Sequence, residues 1–351
     1  MRSRRHNPAH TAPAGALSRP NRKVQMRDRQ QAVLMMMAAL LTLLAGNPAA
    51  AQAAPQVATG AYVSKIESLN FRENKYAIDF YVWFRWKAEG PLADYKPLDS
   101  FELINGKIEN KSSVVEKKIG DVSYATVRVS ATMSETWDLA RFPFDSHSIT
   151  VKIEDSSLSA KDLVFVADKS NSGLGDEIDM AGWTASNFVT DVQTKVYRTN
   201  YGDVSLPTNA SSEYSRFMFS VDIERRSQGS AIKLLSTVLL ATAVAFVAFL
   251  VKPSDLDARF GMGIGSLFAV TASAFISASL VPDSGEMTLA DKMHMIALAF
   301  IFGTLLLSAL CLKLEVSRRR ELAFRIDRIA VVVLPLLFYG WAAWAIAHNI
   351  R

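Results

Sequence analysis

Four long apolar segments close this chain, running from Ala231 to Val251, Phe260 to Val281, Ala290 to Leu312 and about Ile329 to Ala347. Each is close to the ~20 residues that a helix needs to cross a bilayer. Lipid offers the backbone no hydrogen-bond partners, so a segment that crosses it alone must be helical. The last third of the chain is therefore expected to be a bundle of four membrane helices. Residues 60–226 differ: charge is interspersed there, and Pro, Gly, Asn, Asp and Ser clusters such as "ADKSNSGLGDE" and "TNYGDVSLPTNASS" interrupt short apolar runs. That composition belongs to an ordinary water-soluble domain.

The soluble part has a period of two. In "KYAIDFYVWFRW" the residues Ile78, Phe80, Val82, Phe84 and Trp86 share one face. The same alternation places Val127, Val129, Ala131 and Met133 together, then Ile149, Val151 and Ile153, then Phe217, Phe219, Val221 and Ile223. Half-buried strands alternate in this way, and many short strands so spaced suit an immunoglobulin-like antiparallel β-sandwich. The single cysteine, Cys311, excludes an intrachain disulfide.

Charge and topology agree with one another. The formal net charge of +5 comes largely from residues 1–29 and from "SRRRELAFRIDR" beside an apolar segment, so membrane orientation explains it without nucleic acid. Basic residues followed by an apolar stretch from Ala32 to Ala45 and small residues near Ala51 or Ala53 read as a secretory signal peptide, with Met26 a natural start. If the sandwich is exported, the loops reached by the first and third helices should be basic. Lys252 and Arg259 stand in one, and Lys313, Arg318, Arg319, Arg320, Arg325 and Arg328 in the other. The expected division is 1–53 as extension and signal, 54–228 as periplasmic sandwich and 229–351 as membrane domain, in a bacterial inner membrane.

Between two alternating runs stands "RFPFDSHS", with Phe142, Pro143, Phe144 and Asp145 in succession. Joined to an exported sandwich and four helices, "WDLARFPFDSHSITVKIED" resembles the signature loop of the pentameric ligand-gated ion channels, the Cys-loop family, in a prokaryotic form lacking the loop cysteines. "YVWFRW" is similar to that family's second strand, "VDIERR" to its tenth, and "DLDARFGMGIGSLFAVTASAFISASLVPDSGEMTLAD" to its pore helix and outer loop. The resemblance implies a homopentamer whose sandwich responds to a small extracellular ligand or to protons. It further implies inorganic ions as the permeating species and lipid as the surroundings.

It also assigns roles. Phe142, Pro143 and Phe144 press on the outer ends of the membrane helices, and Asp145 takes a cation. Arg225, with the parity of Phe219, Val221 and Ile223, points inward and is preferred to Arg226 as that cation, although both arginines could simply mark the membrane boundary. The pore register implied by the resemblance turns Asp257, Gly261, Gly265, Phe268, Ala272, Phe275 or Ile276, and Ser279 to the lumen. Phe268 would be a hydrophobic gate and Asp257 a ring favouring cations. Polarity alone suggests another register: Arg259, Ser266, Ser273 and Ser277 share the opposite arc, and a pore lined by them would prefer anions. Glycine, alanine and serine on the second segment suit a helix surrounded by other helices.

For the ligand, the resemblance points to Tyr81 and Trp83 on the second strand and to Tyr197, Tyr201 and Tyr214 around the capping hairpin, unless these are surface residues of a sheet. The position of the family's central aromatic loop reads "EDSSL" here, with no ring. His147 and His294 are placed where charging could bias a gate near neutral pH. No metal-ligand cluster, nucleophile with base or phosphate-binding loop is visible, so neither a catalytic nor a metal site nor a cofactor is expected. The rival is a non-conducting periplasmic sensor with a four-helix anchor that signals to a partner protein.

Overall fold

The computed structural model describes residues 35–37 and 54–350, apart from 206, 208, 227 and 284. The chain divides into the units Met1–Ala53 and Ala54–Arg351. Apart from residues 35–37, which are helical, the expected signal segment lies outside the described residues.

Residues Gln56 to Arg225 form two facing sheets. The larger has the order β4 (Gly106–Ile119), β5 (Val122–Ser134), β2 (Lys75–Lys87), β1 (Gln56–Asn70) and β7 (Val164–Ala167), with β8 (Gly173–Leu174) also paired to β1. The smaller has the order β3 (Phe101–Leu103), β6 (Ser146–Asp155), β10 (Ser212–Arg225) and β9 (Trp183–Tyr197). All pairings are antiparallel except the short ones of β1 with β7 and β8. The alternating runs form the core: Phe80, Val82 and Phe84 from β2 and Val127 and Val129 from β5 meet Val151, Ile153, Phe217 and Phe219. The rings of Phe80 and Phe219 are 5.1 Å apart across the two sheets. Each such side chain contributes about 1.5–3 kcal/mol by leaving water.

The strand β4 was not legible as a strand. Its sequence "GKIENKSSVVEKKI" is mostly exposed and carries no alternation, because it is the edge of the larger sheet. Lysine and glutamate there discourage pairing with another chain.

The membrane helices are α1 (Gln228–Val247, continued by a 3₁₀ turn, Ala248–Leu250), α2 (Leu256–Ser279), α3 (Leu289–Val316) and α4 (Arg320–Asn349). All four are long and apolar enough to cross a membrane. α2 starts on an Asp255 cap, whose carboxylate accepts from the Ala258 N–H. α3 starts on a reciprocal box in which Thr288 accepts from the Asp291 N–H and Asp291 accepts from the Thr288 N–H. α4 begins well before the apolar stretch that signals it, so most of the charged segment before Ile329 is helix and not loop. Ala323 and Asp327 in that added length are buried against the bundle. Pro335 lies inside α4.

Candidate functional site

The loop between β5 and β6 descends from the sandwich onto the helices. Its tight path is held by bonds from the Phe142 N–H to Leu139 O (2.9 Å) and from the Phe144 N–H to Arg141 O (2.8 Å), with a cis peptide before Pro143. Phe142 is buried in the sandwich core. Phe144 points the other way and packs with Leu235 of α1, Leu289 and Met293 of α3, and Ala342 and Ala345 of α4. One ring thus anchors above and the other below.

Backbone bonds complete the junction. The first N–H groups of α3 lack partners within the helix, and here Leu289 donates to Ala140 O (3.0 Å) and Ala290 to Phe142 O (3.2 Å). Arg141 ties in a second helix at the same end of the bundle, donating from Nε (3.0 Å) and Nη2 (2.6 Å) to Asn349 O at the end of α4.

Asp145 is buried and accepts from Arg225 Nε at 2.8 Å and Nη2 at 3.4 Å. Arg226 is exposed and lies 3.7 Å from Asp179. His147, whose side chain is also buried, places Nε2 2.6 Å from Asp145 Oδ2. Burial would raise the Asp145 pKa, but the hydrogen bonds from His147 and Arg225, with the charge of Arg225, outweigh it and hold the carboxyl below its usual range. Around this trio stands an aromatic box. The Arg225 guanidinium lies 4.4 Å from the Trp183 ring centre, 5.2 Å from Phe142 and 5.4 Å from Phe71. The His147 ring lies 5.1 Å from Trp137 and 5.3 Å from Phe71. Stacking a cation over ring faces adds about 0.5–2 kcal/mol per contact as water is excluded. Phe71, Trp137 and Trp183 escaped the sequence reading because they come from three separated segments with no shared spacing. A cavity of about 830 Å³ lies between this box and the outer ends of α1 and α2, lined among others by Phe71, Pro143, Arg225, Lys233 and Ile276.

Along α2 the two candidate faces separate cleanly. Asp257, Gly261, Gly265, Phe268, Ala272, Phe275, Ile276 and Ser279 are all exposed on the single chain. Phe268 is 73 % exposed and Phe275 79 %. Arg259, Ser266, Ser273 and Ser277 are buried inside the chain's own bundle. Arg259 donates from Nη1 to Asp327 Oδ1 (3.0 Å), from Nη2 to Asp327 Oδ2, and from Nε to Val251 O (3.1 Å). The polarity reading that turned this arc to water is therefore corrected: an internal carboxylate on α4, not a lumen, receives the arginine. Ser273 bonds His294 Nε2 at 3.0 Å, while His294 Nδ1 lies 2.7 Å from Ala290 O. A carbonyl only accepts, so Nδ1 donates, and in the neutral ring the serine hydroxyl donates to Nε2.

The three glycines of α2 differ. A Cβ at Gly263 would stand 2.4 Å from a Leu305 methyl of α3, so this glycine permits close packing of the two helices. At Gly261 and Gly265 a Cβ would meet nothing within 4 Å.

Of the five aromatics expected at a ligand site, the chain groups three. Tyr197 lies 5.9 Å from Tyr214 and 6.3 Å from Tyr201, on the β9–β10 hairpin. Beneath them Glu154, from the ringless "EDSSL", is buried and accepts from Arg216 Nε at 2.6 Å and from the Tyr197 hydroxyl at 3.1 Å. Tyr81 and Trp83 lie on the other sheet, in β2. Trp83 donates to Asp168 Oδ2 at 3.0 Å, and Arg85 donates to the same oxygen at 2.7 Å. One chain does not bring the two aromatic groups together.

The site is thus a β-sandwich whose lowest loop is bonded to the ends of four helices long and apolar enough to cross a membrane. No family model matches the chain. It is 20 % identical over 302 residues to the proton-gated ion channel of Gloeobacter violaceus, covering 80 % of each chain. It is 25 % identical over 193 residues to the glutamate-gated chloride channel of Drosophila melanogaster, covering 54 % of this chain and 39 % of that one. The chain is thus similar in sequence to ligand-gated ion channels, and its two-sheet domain followed by four apolar helices matches the architecture of the pentameric ones.

Proposed function

We propose that five copies of this chain surround an ion pathway lined by α2, with the sandwich of residues 54–228 in the periplasm, the helices of 229–351 in the inner membrane, and residues 1–53 serving export. The observation that supports this best is the exposed stripe of α2, from Asp257 through Phe268 to Ser279, on a helix whose opposite face is already filled by its own chain. A face of large apolar and small residues left open needs copies of itself to cover its flanks. Five-fold symmetry then turns Phe268 into an apolar constriction that gates by dewetting, and Asp257 into an acidic ring that favours cations.

The stimulus acts on the sandwich. Tyr197, Tyr201 and Tyr214 on one sheet of one subunit face Tyr81 and Trp83 on the other sheet of its neighbour, so that the extracellular ligand binds between subunits. The two relatives are named for different stimuli, protons and glutamate, and neither name selects one for this chain. Movement of the strands reaches the membrane through Phe142, Pro143, Phe144 and the Asp145–Arg225 pair. The bonds from Leu289 and Ala290 to the loop supply the mechanical link to α3 and, through the α2–α3 connection, to the outer end of α2.

The test is reconstitution in a planar bilayer under a salt gradient, with pH steps and a panel of small charged solutes. A wild type whose reversal potential lies on the cation side, and an Asp257→Asn variant shifted toward zero, are the expected results. An anion-selective wild type that ignores Asp257 would overturn the register, and absence of current under every stimulus would favour the non-conducting sensor.

A further inference from the structure

The junction cavity of about 830 Å³ carries a charge that the Asp145 cluster does not use up. Three basic residues line it, Arg72, Arg225 and Lys233, beside Phe71, Leu234 and Ile276, and no acidic residue among those described does so. Arg225 is committed to Asp145. Arg72, in the turn between β1 and β2, and Lys233, near the start of α1, are exposed, and among the described residues neither forms an ion pair.

A segment of opposite sign lies close by along the chain. α2 ends at Ser279 and α3 begins at Leu289. The connection between them holds Asp283 and Glu286 with no lysine or arginine. Both acids are exposed, and neither has a basic partner among the described residues. Gly285, with φ of 72°, turns the chain between them, and Met287 beside Glu286 is 44 % exposed.

Acids and cations stand at one height. Ser279 and Leu280, where the connection leaves α2, line the cavity themselves, and Leu289, where it ends, is bonded to Ala140 of the junction loop. Within one chain the two sets still do not pair. In a ring closed around α2 the symmetry axis runs along that helix, so groups that meet between copies come from the same height on two different flanks of the chain. The flank that bears Lys233 is unfilled: below it the cleft between α1 and α2 stays open along Ser236, Thr237 and Leu240. A free anion would pair with the cations and leave the apolar side chains beside them wet. A segment carrying two carboxylates and a methionine covers both.

We propose that the α2–α3 connection of one copy docks in this cavity of the next, with Glu286 against Lys233, Asp283 against Arg72, and Met287 over Leu234 and Ile276. The inference rests on the reading of five copies around α2 and names the interlock that closes the ring at the junction. The cavity is complete only when the partner supplies its acids.

The double variant Lys233→Cys, Glu286→Cys is oxidised in neutral detergent, with the buried Cys311 left in place and each single variant as control. On a non-reducing gel the double variant should form a ladder reaching five subunits, while the single variants stay monomeric. A disulfide confined to the monomer, or none at all, would overturn the docking. Dimers from Lys233→Cys alone would do the same, because they mark a two-fold contact. A lysine-directed cross-linker on the wild type separates this inference from the reading beneath it. Its ladder to five beside a monomeric cysteine pair removes the docking and leaves the pentamer, whereas absence of both ladders removes the two together. Charge supplies a second arm. Lys233→Glu or Glu286→Lys alone should weaken subunit association about fivefold per interface, and the two together should restore it. Losses that simply add in the double reversal would dissolve the pairing. None of these readouts requires current.

Discussion

At the scale of single residues, Asp145 concentrates the energetics of the junction. It is a buried carboxylate with a guanidinium on one side and an imidazole on the other, inside walls of Phe71, Phe142, Trp137 and Trp183. Removing one member of a buried charge pair leaves the other unpaired, at about 3–5 kcal/mol. Asp145→Ala and Arg225→Ala should each destabilise by that order, and the double variant by clearly less than the sum, measured as shifts in unfolding of purified protein. Strict additivity would dissolve the pair. Because the folded pKa of Asp145 lies below its unfolded value of about 3.9, its contribution is complete above that value and disappears as pH falls through the folded one. The stability gap between wild type and Asp145→Asn should therefore be full at neutral pH and close only in strong acid.

At the scale of elements, α2 is a helix with two unlike faces, and its glycines report which is which. Gly263→Ala must displace Leu305 and should cost about 1–3 kcal/mol through overpacking. Gly265→Ala meets nothing in its own chain, so it should leave unfolding nearly unchanged and act instead on single-channel conductance. If both substitutions destabilise equally, the open face is closed by something other than a lumen. Phe268→Ala removes an apolar ring side chain from each copy and should give leak current without stimulus, seen as a raised baseline in the bilayer. The early start of α4 belongs to this scale too: a hydropathy pattern sees charges before Ile329, whereas the helix continues because Asp327 is neutralised by Arg259 and Ala323 packs inside.

For the whole molecule, a single chain is incomplete. Ile264, Phe268, Phe275 and Ile276 of α2 stand bare, as do Leu240 and Val244 of α1, and Gly265 and Ala269 open onto a cleft with Ser236 and Thr237. Lipid suits the outward faces of α3 and α4, but the small and polar residues between α1 and α2 call for helices. Cross-linking of purified protein should give a ladder ending at five subunits, and truncation to residues 54–228 should lose it. A ladder ending at two or three would contradict five-fold closure around α2.

Much of this was legible from local pattern. Alternation every two residues places Phe80, Val82, Phe84, Phe217 and Phe219 in the sandwich core, and length with hydropathy marks four spans, because each property depends only on near neighbours along the chain. Parity likewise sends Arg225 rather than Arg226 toward Asp145. Tertiary structure alone decided the rest. Polarity would have turned Arg259 and its serines to water, but the partner that reverses this, Asp327, lies 68 residues away and sits in a segment that reads as a charged loop. The aromatic box is drawn from separate strands and loops, and the hairpin tyrosines lie on the opposite sheet from Tyr81 and Trp83. A buried charge goes wherever a counter-charge of fitting geometry exists, and that is a property of packed elements in space, invisible to any periodicity along one of them.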